Sequence, residues 1–137
     1  MSGLHLEIVT PTRTAFANVV TEVTLPGSIG ELGILPGHLP LITTLQPGEI
    51  AAHTSSGVRS FAVGSGYAQV LPDRVRVLVD DCSGVDEIDI VHAKAELADL
   101  EARLDKDEFL SSDELDEATE HAARARARIA LVERATR

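Results

Sequence analysis

Five histidines and one cysteine in this 137-residue sequence supply imidazole and thiol chemistry, suited to metal ligation, nucleophilic attack or base catalysis: His5, His38, His53, His92, His121 and Cys82. None stands at ligand-type spacing from another, so no metal site is expected. A single cysteine can form no intrachain disulfide, which suits a reducing compartment. The sequence holds no G-x-x-x-x-G-K-[ST] phosphate loop, no G-x-S-x-G elbow and no H-E-x-x-H pair, and Gly64-Ser65-Gly66 reads as a turn. An enzyme therefore finds little support. What remains is charge. Arg124, Arg126, Arg128, Arg134 and Arg137 crowd the end of the chain, where Glu120 and Glu133 are too few to balance them. Glu120 stands four residues before Arg124, and Arg124 and Arg128 share a helix face, so local ion pairs explain part of the pattern. Cations near a helix C-terminus are also favourable in themselves. A solvated face and a surface for an acidic partner both fit these residues.

The charge is divided along the chain. Residues 1–79 carry −1, residues 80–120 carry −13 and residues 121–137 carry +4, within a net charge of −10. A nucleic-acid binder would spread cations and aromatics over one face, but aromatics make up 3% here and tryptophan is absent. Nucleic acid is set aside. Hydrophobic residues at 44% and charged residues at 25% indicate a globular protein. No apolar run approaches the ~18 residues that span a bilayer, and MSGLHLEIVT has no signal-peptide pattern. Any membrane association is expected through a protein partner.

The elements that must carry these residues differ between the two halves. Leu4-His5-Leu6-Glu7-Ile8 and Arg74-Val75-Arg76-Val77 alternate with period two. β-prone runs from Val19 to Leu25, Leu39 to Thr44, Val58 to Val63 and Tyr67 to Leu71 lie between them, separated by Pro26-Gly27, Pro36-Gly37, Pro47-Gly48, Ser56-Gly57 and Pro72-Asp73. After Gly84, glycine and proline vanish and the period becomes helical. Ile90, Ala93, Leu97, Leu100 and Leu104 form one stripe; Leu115, Ala118, Ala122, Ala125, Ile129 and Val132 form another. The spacing predicts helices over roughly Glu87–Lys106 and Ser112–Ala135, joined around Asp107–Ser111, with Ser111 and Glu114 in a capping-box pattern. So short a link makes an antiparallel hairpin. The fold expected is α+β: an N-terminal antiparallel β-sandwich, residues 1–84, then a two-helix hairpin, residues 85–137. An alanine-rich seam buries little apolar area, so the second helix is expected to dock weakly while staying helical.

The block from Gly27 to Leu41, GSIGELGILPGHLPL, resembles the signature of the epsilon family of bacterial-type F-type ATP synthases. Thr43–Gly48, Phe61–Tyr67, Val75–Asp80 and Ile88–Ala93 extend the similarity in the family's order over the whole chain. The resemblance implies a non-catalytic subunit of the rotating central stalk. Its sandwich would couple the gamma subunit to the ring of c subunits. Its hairpin would change conformation, extend toward the catalytic alpha/beta hexamer and hold back ATP hydrolysis.

The resemblance also assigns residues. Glu31, in a Gly-Glu-Leu-Gly turn, would point at the c ring, and His38 would lie near partner subunits, although a turn histidine can simply cap its loop. Thr10 and Thr43 would face gamma. Asp89, His92 and Ala93 resemble a nucleotide-binding motif, with Arg124 or Arg128 as further candidates. Histidine stands here where that motif has arginine, which removes the fixed cationic fork that suits phosphate. Asp89 alone would serve a helix N-terminus. No cofactor is expected, and regulation by ATP is the less favoured reading. Arg124, Arg126, Arg128 and Arg134 would meet the acidic surface of the catalytic subunits. The place implied is peripheral, on the cytoplasmic face of the bacterial plasma membrane. The competing class is a free-standing ligand-binding β-sandwich with an oligomerising hairpin, which should show an apolar pocket.

Overall fold

The computed structural model describes residues 3–106 and 111–135. Ten strands come first: β1 (Leu4–Val9), β2 (Thr14–Val20), β3 (Glu22–Gly27), β4 (Gly30–Ile34), β5 (Leu41–Leu45), β6 (Gly48–Thr54), β7 (Gly57–Val63), β8 (Gly66–Leu71), β9 (Arg74–Val79) and β10 (Cys82–Gly84). A 3₁₀ turn, Val85–Glu87, leads to α1 (Ile90–Asp105) and α2 (Ser112–Ala135). Period-two burial accounts for the strands. Leu4, Leu6 and Ile8 of β1 are buried, as are Val75, Val77 and Val79 of β9, while His5, Arg74 and Arg76 face water.

The hydrogen-bonded path runs β10-β7-β6-β3-β5-β8-β9-β1-β2, with β4 also on β3. β3 and β5 meet through the single pair Gly27↔Leu45. At that narrow join the path folds into two layers, β10-β7-β6-β3-β4 and β5-β8-β9-β1-β2. Inward residues of both layers, among them Leu6, Leu25, Ile50, Phe61 and Val77, form one core. The architecture is the expected sandwich followed by helices. All pairings are antiparallel except that of β1 with β9, which is parallel.

Three strand details were not expected. The run from Val19 to Leu25 breaks at Thr21, whose backbone N–H and hydroxyl both donate to the His53 carbonyl, at 2.7 and 3.0 Å. There the chain passes from β2 in one layer to β3 in the other. The Gly30–Gly33 segment, read as a turn, is most of strand β4, zipped onto β3 from Gly27↔Gly30 to Val23↔Ile34. Pairing on a buried neighbour overrides its weak intrinsic preference. Third, Pro26-Gly27, read as a turn, ends strand β3 and the bend falls at Ser28-Ile29; the expected Pro36-Gly37 turn is present, with Gly37 at φ 89° and the His38 N–H donating to the Leu35 carbonyl at 3.2 Å.

The first helix starts at Ile90 rather than Glu87. Asp89 is its N-cap, accepting a hydrogen bond from the His92 backbone N–H at 3.1 Å. Glu87 instead closes the 3₁₀ turn. α2 has the expected bounds, and Ser111 Oγ accepts from the Glu114 N–H at 3.2 Å. The expected link lies outside the described residues, apart from Ser111. Between the helices, Leu100, Ala118 and Ala122 form a second, smaller core with Leu97 and Leu104 packed against it. Leu115, which opens the expected second stripe, is 40% exposed, and the fully buried positions of that stripe are Ala122 and Ala125. Leu131, absent from that stripe, is 2% exposed. α2 therefore buries two stripes, one toward α1 and one toward the sandwich.

Candidate functional site

The second stripe of α2 runs Arg124, Arg128, Leu131 and Arg134, at steps of four, three and three, which keep one helix face. α2 packs on β6 and β7 and touches the 3₁₀ turn. Phe61 and Val63 of β7 point into the sandwich core, so Ala62 between them lies on the outer face, yet it is 2% exposed. Ala62 and Leu131 are the deeply buried apolar side chains of this seam. Charge surrounds them. Arg134 reaches both carboxylate oxygens of Glu49 on β6 through its two terminal nitrogens. That bond raises the Arg134 pKa further above its ordinary value. Arg128 donates to Asp81 and approaches Glu96 of α1 at 4.0 Å. Arg124 lies 4.0 Å from Asp80. Ser65 Oγ donates to Glu120 and lies 3.3 Å from Asp80 Oδ2.

The shelf that receives α2 is built by two bends held together. The Gly64 N–H donates to the Asp81 carbonyl and the Asp80 N–H to the Ser65 carbonyl, each at 3.0 Å. Gly64 leaves room for both side chains: a Cβ there would push Asp81 Oδ1 aside and stand 3.0 Å from Arg124 Cδ. The arginine cluster is thus not a freely solvated face, and the local pair expected between Glu120 and Arg124 gives way to other partners: Glu120 accepts from Ser65, and Arg124 lies on His121 and near Asp80. Acids of the sandwich, distant in sequence, take Arg124, Arg128 and Arg134, while Arg126 turns to Glu101 of α1 at 3.3 Å. Nothing local in residues 120–137 signals these partners. The acids Glu49, Asp80 and Asp81 were visible, but only the fold brings them here.

A separate contact fixes where the helices leave the sandwich. Arg13 donates to the Cys82 carbonyl at 2.8 Å and pairs with Glu87 at 3.0 Å. Glu87 accepts from the Gly84 N–H at 3.0 Å. That backbone bond, with Arg13 adding to it, holds the Glu87 carboxyl below its ordinary pKa. Cys82 itself is buried, which pushes its thiol up to about 12 and leaves it a neutral, unreactive group at neutral pH.

The other expected site residues are scattered. Asp89 caps α1, and His92 Nε2 lies 3.7 Å from Glu96 on the same helix. Ala93 is buried. With Arg124 and Arg128 both on carboxylates, these residues do not converge on an open cationic pocket. Glu31 is exposed near the start of β4, and His38 follows the end of that strand, so the two are not brought together. His38 Nδ1 donates to the Leu39 carbonyl at 2.7 Å. Thr10 is buried, its hydroxyl engaged with Arg13 of its own loop at 3.2 Å. Thr43 is half-buried on β5. Large apolar side chains stand uncovered near several of these positions: Ile29, Leu39, Ile42 and Tyr67. Two surface hollows of about 440 Å³ each are open and of mixed lining, with His5, Glu7 and Arg74 in one and Thr21, Thr54 and Arg59 in the other. Neither is the enclosed apolar pocket that a ligand-binding sandwich would show. No group of three or more metal-ligating side chains gathers among the described residues.

Comparison with known proteins adds a second line of observation. The family described as "ATP synthase, Delta/Epsilon chain, beta-sandwich domain" matches residues 3–84. A relative from Syntrophotalea carbinolica named ATP synthase epsilon chain 2 is 48% identical over 101 residues, 74% of this chain and 73% of its own. An ATP synthase epsilon chain from Geobacter sulfurreducens is 38% identical over 128 residues, 93% of this chain and 91% of its own. Among solved structures, a chain of the Euglena gracilis mitochondrial ATP synthase (OSCP, F1 and c-ring) superposes with TM-score 0.78 at 17% identity, covering 100% of this chain and 83% of that one. A chain of the Tetrahymena thermophila mitochondrial ATP synthase central stalk and c-ring gives TM-score 0.59 at 14% identity, covering 98% and 96%. At such identities these structures speak to the fold.

Proposed function

Because this chain belongs to the ATP synthase delta/epsilon family, as an epsilon chain, we propose that it couples the gamma subunit to the c ring in the central stalk and that its helical arm restrains ATP hydrolysis. An epsilon chain is an accessory subunit of the ATP synthase, not a catalytic one. The complex is membrane-associated, and no described helix here is long and apolar enough to cross a membrane. The chain would therefore be peripheral, attached through partner subunits on the cytoplasmic face of a bacterial plasma membrane.

The observation that carries the proposal is the separateness of the two cores. Residues 1–84 act as the docking unit and residues 85–137 as the regulatory arm. The sandwich keeps its own large core, and the arm keeps its own small one and meets the sandwich over a seam in which Ala62 and Leu131 are ringed by ion pairs. Such an arm can leave without unfolding either part. With α2 on β6 and β7, the outer-face residues Ile42 and Tyr67 of the other layer stay open. That face, with Thr43 beneath it, is the proposed seat for gamma. Glu31 beside the exposed Ile29, and the His38-Leu39 turn, offer polar and apolar contacts suited to the c-ring loops. A rim carboxylate such as Glu31 would steer and register the contact more than strengthen it. Released, Arg124, Arg126, Arg128 and Arg134 would present a basic helix to the catalytic subunits of the alpha/beta hexamer. Asp89 caps a helix and Arg128 is taken by Asp81 and Glu96, so nucleotide is given no part in holding the arm.

The test is removal of the arm. Deleting residues 85–137 should leave binding to gamma and the c ring intact and raise ATPase activity of the assembled enzyme severalfold. Unchanged hydrolysis would remove the inhibitory role; lost binding to gamma would remove the docking role of the sandwich.

A further inference from the structure

We propose that the docked position of the arm is held by an ionic latch, Arg134 on Glu49 and Arg128 on Asp81, so that ionic strength and acidic partners govern its release. The inference deepens the proposed function, resting on the arm being mobile in the working protein. The two clasps bracket the buried Leu131, one helical turn to either side. They join residues 47 and 85 positions apart in sequence, so each ties the arm to the sandwich rather than to itself. Side chains in both are between a quarter and just over half exposed. Mobile ions therefore reach them, and screening at physiological salt acts over about 8 Å.

The seam is also poised to open. Asp81 Oδ1 is buried without a hydrogen-bond partner. A buried acceptor left unsatisfied opposes the docked state, because water would satisfy it on release. Docking depends on Arg128 holding the other oxygen of that carboxylate. The pivot has the opposite character. Arg13, Glu87 and the Cys82 carbonyl hold the 3₁₀ turn at the root of the arm, before the first helical residue, Ile90. They stay joined when the arm moves. Docking further engages Arg128 and Arg134, two of the cations that an acidic protein surface would need, so such a surface must displace Asp81 and Glu49 to take them. The docked and partner-bound arm are mutually exclusive.

The measurement is a distance between spin labels on the full chain, at Ser56→Cys in the β6–β7 turn and Ala130→Cys on the outer side of α2. Buried Cys82 stays unlabelled under native conditions. Raising salt from about 50 to about 500 mM should increase the undocked fraction severalfold. Glu49→Gln with Asp81→Asn should shift the undocked-to-docked ratio about tenfold at low salt and remove most of the salt response, leaving what the Arg124–Asp80 approach contributes. The exchange Glu49→Arg with Arg134→Glu should restore docking lost in either single variant, an outcome that mere loss of packing would not give. A distance indifferent to salt, or unchanged in the double neutral variant, overturns the latch. Neither result touches the ATPase comparison with the truncated chain, so latch and inhibition fail separately.

Discussion

Sandwich and arm are held together by different physics. In the sandwich, nineteen buried side chains from both layers form one cluster, so each strand is stabilised by the others. Among the described residues of the arm, the buried cluster has three side chains, two of them alanines, and the seam to the sandwich adds Leu131 and Ala62 ringed by ion pairs. Burial scales with area at about 25 cal/mol per Å², whereas an exposed ion pair contributes about 0.2–1 kcal/mol. Removing a side chain from the first region should therefore cost the whole unit. Changing the second should move a part. One sequence thereby carries a stiff element and an adjustable one.

The largest expected effect tests the stiff half. Ile50 on β6 is fully buried within the single sandwich core, so Ile50→Ala should lower stability by about 2–5 kcal/mol in chemical denaturation. A loss below ~1 kcal/mol would mean that the two regions are not so unequal. Neutralising the latch comes next, with its tenfold shift in arm position and little change in sandwich stability. The smallest effect sharpens the account of α1. Asp89→Ala removes an N-cap, which costs about 1 kcal/mol of helix stability. Circular dichroism should show the same loss with and without ATP; a loss seen only with ATP would reassign Asp89 to nucleotide.

Much of the architecture was legible in the sequence, because periodicity reports burial directly. β1 and β9 alternate as written, and α2 has the bounds its alanine stripe indicated. β4 was not legible, since Gly30, Glu31 and Gly33 carry no strand signal and only the pairing with β3 makes them one. The start of α1 was misplaced by three residues because Asp86 and Glu87 suit a first helical turn, while Arg13, 74 positions away, draws Glu87 into the 3₁₀ turn. The partners of the arginines escaped for the same reason. Local spacing finds an i,i+4 pair, but nothing in residues 120–137 points to Glu49 or Asp81. Thr10 likewise reads as an ordinary strand threonine until the loop from Val9 to Arg13 closes over its hydroxyl.

Native-state hydrogen exchange of the full chain tests the difference between the halves most directly. Amides of β1, β8 and β9 should open only with global unfolding, while those of α1 and α2 should exchange through a lower-energy opening that leaves the strands protected. Helical amides as slow as those of β9, under conditions where the strands report the global free energy, would contradict a separately movable arm.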